Sequence, residues 1–236
     1  MSSVTTIPIA SLLLGFVPVL LLIVIMRAWG LNALQAMYAN IRMLVQLLLI
    51  GYVLTYIFET DEPVLVVLVV IFMIAMSSWI ALRPLIDRGI KPYSIVVIAI
   101  GVGGLGVLIL VTQIILELPR WYEPRFVIPL AGMVFANSMN TISLAGERFH
   151  AERERGEDYL SARRTAMEAA MIPQVNALLA VGLVSLPGMM TGQILSGVEP
   201  LIAARYQIMV MCMIFSTAGI AAVIYMALKK NSATDG

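Results

Sequence analysis

Charge is what this chain has least of. Asp, Glu, Lys and Arg make up 12% of its 236 residues, about half the share found in ordinary soluble domains. With so few charges the chain lacks the means to build a water-facing surface around a soluble core. A single cysteine, Cys212, excludes an intrachain disulfide, and in its apolar run it reads as a small hydrophobe rather than a redox group. The single histidine, His150, lies in a charged segment away from any apolar run. No HExxH pattern, no phosphate-binding GxxxxGK[ST] loop and no carboxylate inside a long apolar stretch is present. These absences remove the usual grounds for an intramembrane protease, an intrinsic ATPase or a proton pump with a buried acid. Fifteen Lys and Arg against fourteen acids leave a net charge of +1, which excludes the basic field that a nucleic-acid partner requires.

What the chain does have is apolar length. Hydrophobic residues make up 61% of it, and the mean hydropathy is +0.96. About 20 apolar residues are needed to cross roughly 30 Å of hydrocarbon. Ile7 to Met26 meets this without a charge and is followed by Arg27 and Trp29 at a boundary. Lacking a basic region ahead of it, this run reads as a retained helix and not as a cleaved signal. Ala28 to Asn40 reads as an interfacial helix or linker. Further spans are expected at Ile41 to Phe58, Val64 to Leu82, within Tyr93 to Leu116, at Phe126 to Ala145, within Ala169 to Val198, and at Tyr206 to Leu228. The expected fold class is therefore an all-α polytopic membrane protein. It has about seven transmembrane helices, the sixth broken, and one transmembrane domain over residues 1–236 that contains a cytoplasmic segment at 147–172.

Seven spans place the two ends on opposite sides of the bilayer. With the N-terminus outside, only Arg120, Arg125 and Arg205 fall outside, while Arg27, Arg42, Arg83, Arg88, Lys91 and the basic residues from Arg148 onward fall inside, apart from Arg205. That asymmetry obeys the positive-inside rule and puts the C-terminus in the cytoplasm. The external connections carry Glu59, Asp61, Glu62, Glu117, Glu123 and Glu199.

Four constellations stand out. Asn137, Asn140 and Glu147 share part of a helical face, since steps of three and seven nearly repeat the turn. Such a face is expected to meet another helix or a partner subunit or to line a water-filled transport path, because amides facing lipid are costly. Arg42 and Gln46 form a second polar pair, for which interfacial snorkelling and a salt bridge or substrate contact are both open. Leu186, Pro187, Gly188, Met189 and Met190 break the sixth span and form either a kinked packing helix or a mobile gate or substrate-contact site. Finally, GERFHAERERGEDYLSARRTAMEAAMIP mixes helix formers with interleaved charges and is expected to lie along the membrane surface, ending at Pro173. Thr112 and Gln113 read as structural. Met209, Met211 and Met213 around Cys212 invite a soft-metal reading, but residues two apart on a helix diverge, so a metal site remains unassigned.

IRMLVQLLLIGYVLTYIF, IPLAGMVFANSMNTISLAGER, and AMIPQVNALLAVGLVSLPGMMTGQILSGVEPLIAARYQIMVM together resemble the FetB-like iron-export family of ABC transporter permeases over almost the whole chain. VGLVSLPGMMTGQI is the most specific block. The resemblance implies a bacterial inner-membrane subunit that pairs with a second copy of itself, is surrounded by lipid, and receives a separately encoded ABC ATP-binding subunit. ATP and Mg would be bound on that partner, with no cofactor on this chain and no enzymatic activity of its own. Carried onto this sequence, the family pattern marks Arg42, Gln46, Asn137, Asn140, Gly146, Pro173, Asn176, Pro187, Gly188, Met189, Met190, Gly192, Tyr206 and Gln207. Of these, Arg42, Gln46, Asn137, Asn140, Asn176 and Gln207 are transport-path candidates, and Pro187 to Met190 the gate or hinge. Glu147, Arg148, Arg155, Arg163, Arg164 and Pro173 are candidates for coupling to the partner. Family members usually have a longer segment between the GER-like and AMIP-like motifs, where YLSARRTAMEAAMIP here passes directly. The implied cargo is iron or another metal ion. A nucleotide sugar or other small molecule, an ATP-independent transporter or channel, and a structural membrane subunit are the alternatives.

Overall fold

The computed structural model describes residues 7–59, 62–86 and 89–234. Asp61 and Arg88, which enter the charge argument above, lie outside the described residues. The chain divides into two compact units, Met1–Asp61 and Glu62–Gly236. Six helices among the described residues are long and apolar enough to cross a membrane, and the protein is an all-α polytopic membrane protein.

In the first unit, α1 (Ile9–Leu14) and α2 (Val17–Ala28) form one apolar stretch with a turn at Gly15 and Phe16. Pro18, in the first turn of α2, is the physical reason for that interruption: it has no N–H to donate and its ring crowds the carbonyl four residues earlier. A single helix, α3 (Ala33–Glu59), follows. It absorbs both the expected linker and the expected second span. Asn32 caps its start, accepting from the Gln35 backbone N–H at 3.0 Å. No residue of α2 is buried, and in α3 only Ala33 and Ile57 are.

The second unit contains α4 (Pro63–Ala81), α5 (Ile90–Ile109) with a π-helical turn at Leu110–Ile115, α6 (Pro124–Glu154), α7 (Tyr159–Ala180), α8 (Gly188–Leu195) and α9 (Pro200–Thr234). At its centre is α6, packed against α4, α5, α7 and α9. Close approach depends on two glycines. A Cβ on Gly104 of α5 would lie 2.8 Å from Phe135 Cε1, and one on Gly103 would lie 3.1 Å from the Ala221 backbone of α9. The α7 helix approaches through Ala162, Ala166 and Ala170, all fully buried and spaced four apart, so one stripe of methyl groups faces the core.

The direction of each helix follows from its neighbours. Met73 reaches toward Gly132 and Ser143 donates to the Ala81 carbonyl at 3.0 Å, so α4 and α6 run the same way. Gly146 and Phe149 of α6 stand beside Tyr225 and Lys229 of α9, so these two are also parallel. The chain between α6 and α9 therefore returns to the end from which α6 began. It does so as a composite leg of α7, a non-helical turn and α8.

Two boundaries differ from the sequence-based expectation. The charged segment does not form a separate surface helix ending at Pro173. Instead α6 continues to Glu154, a short turn follows, and α7 runs unbroken through Pro173 to Ala180. Pro173 is exposed, and its helix persists because Ala166, Ala170 and Gln174 anchor the other side. The break in the sixth span also begins earlier than Pro187. Gly182, with φ +80°, ends α7 in a left-handed conformation that glycine adopts without strain. Pro187 then occupies the position just before α8, while Gly188, Met189 and Met190 form its first turn.

Candidate transport path and candidate coupling face

At mid-span, α6 and α7 meet through polar groups. Gln174 Nε2 donates to Thr141 Oγ1 at 3.2 Å and approaches Asn137 Oδ1 at 3.5 Å. Asn137 Nδ2 donates in turn to the Met133 carbonyl at 2.8 Å. Gln174 and Thr141 are buried and Asn137 is half-buried, so this contact substitutes for water that the bilayer does not supply. Sequence reasoning singled out Asn137 but missed Gln174, although a glutamine inside an uncharged span was a readable signal. Ser138 is fully buried, and its hydroxyl has no partner.

The other path candidates are not gathered at this contact. Asn140 and Asn176 are exposed on α6 and α7. Gln207 of α9 is 5% exposed with its Oε1 unpartnered, and Gln193 of α8 likewise has an unpartnered Oε1. Arg42 and Gln46 lie in the first unit. With the Gln46 amide turned so that its oxygen faces the guanidinium, it accepts from Arg42 Nη2 at 3.3 Å and Nε at 3.1 Å. This i, i+4 pair neutralises part of the cost of placing a cation near apolar chain. Among the described residues no cluster of three or more His, Cys, Asp or Glu is arranged to hold a metal ion. Cys212 is exposed, whereas Met213 beside it is buried. The two side chains therefore diverge as the helical spacing requires.

The end of the second unit that carries the α6–α7 turn is tied together more tightly. Glu152 is buried between two guanidiniums, with Arg148 Nη2 at 2.6 Å and Arg155 Nη1 at 3.2 Å. Tyr159 at the start of α7 donates to the Met226 carbonyl of α9 at 2.8 Å and packs edge-on against Phe149 of α6, ring centroids 5.7 Å apart. Lys229 Nζ lies 5.3 Å from the Phe149 ring, and Lys230 and Arg163 both stand over Tyr159. Asp158 caps α7 by accepting from the Ser161 N–H at 2.6 Å. That backbone hydrogen bond holds its carboxyl below the usual carboxylate range.

Of the coupling candidates, Arg148, Arg155 and Arg163 thus belong to this end. Arg164 pairs with Glu168 at 2.9 Å on an exposed face, and Pro173 lies further along α7. Glu147 lines an adjoining cleft of about 190 Å³ with Pro84, Leu85, His150, Glu154 and Lys229. In this cleft His150 Nε2 lies 3.1 Å from Glu154 Oε1.

Three comparisons place the chain among known proteins. It is 34% identical over 224 residues to the UPF0014 membrane protein slr1647 of Synechocystis, covering 86% of each chain. With the UPF0014 membrane protein YjkA of Bacillus subtilis it shares 38% over 208 residues, covering 80% of each. It is also 36% identical over 208 residues to a protein of Escherichia coli described as a probable iron export permease protein, FetB, covering 80% of this chain and 78% of that one. No solved structure matches. The model of UPF0014, described as an uncharacterised protein family, matches residues 9–163 and 158–233, two stretches that meet at the start of α7. On that match and these relatives, the chain belongs to the UPF0014 family.

Proposed function

We propose that this chain is the permease subunit of an ATP-driven exporter. It would work as a pair of identical chains with separately encoded ABC ATP-binding subunits, and carry iron or another metal ion. The observation that carries the reading is the 36% identity, over about four-fifths of both chains, to a protein described as a probable iron export permease. The chemistry of the span agrees with it. Asn137, Asn140, Asn176 and Gln207 would each offer a neutral amide oxygen of the kind that can replace water around a cation without trapping it, and in this structure they stand apart on α6, α7 and α9. The expected orientation keeps the N-terminus outside and the C-terminus cytoplasmic, with the domain treated as one permease over residues 1–236.

In this reading nucleotide binding on the partner moves the cytoplasmic ends of α6 and α7. Tyr159, Phe149, Met226 and Lys229 join the α6–α7 turn to the end of α9, so the three ends move together. The displacement passes along α6 and α7 to the Gln174 contact, and the turn before Pro187, Gly188, Met189 and Met190 absorbs it. Binding thereby biases a protein with several conformations. The two family matches overlap at residues 158–163, within the proposed coupling region.

The test is reconstitution with the ATP-binding chain encoded beside it. Ferrous iron should stimulate ATP hydrolysis and accumulate in inverted vesicles only when ATP is present. Stimulation by a nucleotide sugar and none by iron would overturn the cargo, and flux through this chain alone would overturn the ATP dependence.

A further inference from the structure

The helix α9 carries no charge from Tyr206 to Leu228, and Lys229 and Lys230 follow at once. Its stretch Pro200–Lys230 is long and apolar enough to cross a membrane, so the two ammonium groups stand where hydrocarbon gives way to headgroups. The start of α7 is held at the same level. Tyr159 Oη donates to the Met226 carbonyl at 2.8 Å, and its ring packs edge-on against Phe149. Cations from two helices gather on these fixed rings. The Arg163 guanidinium lies 5.6 Å and Lys230 Nζ 5.7 Å from the Tyr159 centroid. Lys229 Nζ lies 5.3 Å from the centroid of Phe149 and 5.8 Å from that of Tyr225.

Like charges gathered on adjoining rings call for an anion, and the carboxylates at this end are engaged elsewhere. Glu152 lies between Arg148 and Arg155, Glu168 pairs with Arg164, Glu154 contacts His150, and Asp158 accepts from the Ser161 N–H. Glu147 lines the cleft beside Pro84. Among the described residues, the exposed Glu157 included, no carboxylate comes within ion-pair distance of Arg163. Nor does an acid from residues 1–61 reach it. Glu59 and Asp61 precede Pro63 by four residues or fewer. The chain thereby ties them to the start of α4, which runs parallel to α6 and so begins at the opposite end of the unit. That helix is 19 residues long, or roughly 28 Å.

We propose that Arg163, Lys229 and Lys230, set around the Tyr159 and Phe149 rings, receive the phosphate of an anionic phospholipid in the leaflet bordering the α6–α7 turn. The planar fork of a guanidinium grips phosphate oxygens in pairs, and an ammonium adds a point charge on a flexible stem. Basic groups between membrane helices at headgroup depth select acidic lipids for this reason. A dissolved phosphate offers the same oxygens. The position favours lipid, because the apolar run ending at Leu228 sets the cluster at the membrane boundary. A phosphate held by Arg163 and Lys230 bridges α7 to α9, which the Tyr159 bond already joins on the protein side.

The experiment uses the full-length chain, purified in mild detergent and exchanged with phosphatidylglycerol or phosphatidylcholine of the same acyl chains, with bound lipid counted by native mass spectrometry. Phosphatidylglycerol should be retained in preference to phosphatidylcholine. Arg163→Gln and Lys230→Gln should each weaken its retention about fivefold, and the double variant about thirtyfold. The single variants give a reading even where the pair folds poorly. Arg125→Gln, which removes a charge at the start of α6 on the opposite end, should retain the lipid as the native chain does. Equal retention of the two lipids, or native retention by the Arg163→Gln and Lys230→Gln chains, would overturn the proposal. Release of the lipid by excess inorganic phosphate at constant ionic strength would overturn lipid as the source and leave a site for a dissolved phosphate. Two-copy particles that carry no phosphatidylglycerol would overturn it in favour of a counter-charge supplied by the second copy.

Discussion

Replacing Gln174 by leucine nearly keeps the side-chain volume and removes the donor that reaches Thr141 Oγ1 and approaches Asn137 Oδ1. The loss is modest because the partially unfolded chain in a bilayer also finds partners; hydrogen bonds between membrane helices average about 0.6 kcal/mol and reach about 1.7. A double-mutant cycle with Gln174→Leu and Thr141→Val, followed by denaturation in bicelles, should return a coupling in that range. A value near zero would show that the two side chains do not bond. At Asp158 the expected effect depends on pH. Its carboxyl is depressed below the usual range by the Ser161 N–H, so the cap contributes fully above the unfolded value and is lost as pH falls through the folded one. Asp158→Asn should keep Ser161 protected from amide exchange across that acid range, Asp158→Ala should lose protection at all pH values, and the native residue should lose it only in acid.

The second-unit elements show which physical signals a sequence carries plainly and which it does not. Long uncharged runs marked α4, α5 and α9 because hydrocarbon thickness sets a length and nothing polar interrupts it. The polar face with Asn137 and Asn140 was equally visible, since amides stand out against apolar neighbours. The α6–α7 hairpin was not, because Glu, Arg and Ala are good helix formers in water or in lipid, and only packing decides where such a helix joins its neighbour. Proline drew attention to Pro173 and Pro187, but backbone conformation is decided by the glycine at Gly182, whose left-handed φ no composition rule distinguishes from Gly188. Gln174 was overlooked because a polar residue beside a proline reads as part of a break until α6 is seen opposite it. The alanine stripe gives this packing a measurable consequence. Ala166 is fully buried between its stripe neighbours, so Ala166→Leu should overpack the α7 contact and cost about 1–3 kcal/mol. Ile172→Leu on the exposed side of α7 should change little in the same unfolding measurement.

Over the whole second unit, the directions of the helices impose a requirement that no single element shows. Because α6 and α9 are parallel, the chain between them must cross back, yet neither α7 nor α8 alone is an uninterrupted apolar span. The turn before α7 should then be on one side of the bilayer and the turn before α9 on the other. Glu157 and Glu199 are exposed representatives of these turns. In a Cys212→Ser background, Glu157→Cys should react with an impermeant maleimide only after the cytoplasmic side is opened, and Glu199→Cys should react in intact cells. The positive-inside rule supplies the expected sides for this test: Arg148, Arg153, Arg155, Arg163 and Arg164 cluster around the first turn, whereas Arg205 alone follows the second closely. Labelling of both positions from one side would make α7 and α8 a re-entrant pair. It would also put the ends of α6 and α9 on opposite faces, which the Tyr159–Met226 hydrogen bond and the Lys229–Phe149 contact do not allow. Labelling from opposite sides is the outcome this packing expects of the composite leg, and the pattern tests the packing of the whole unit at once.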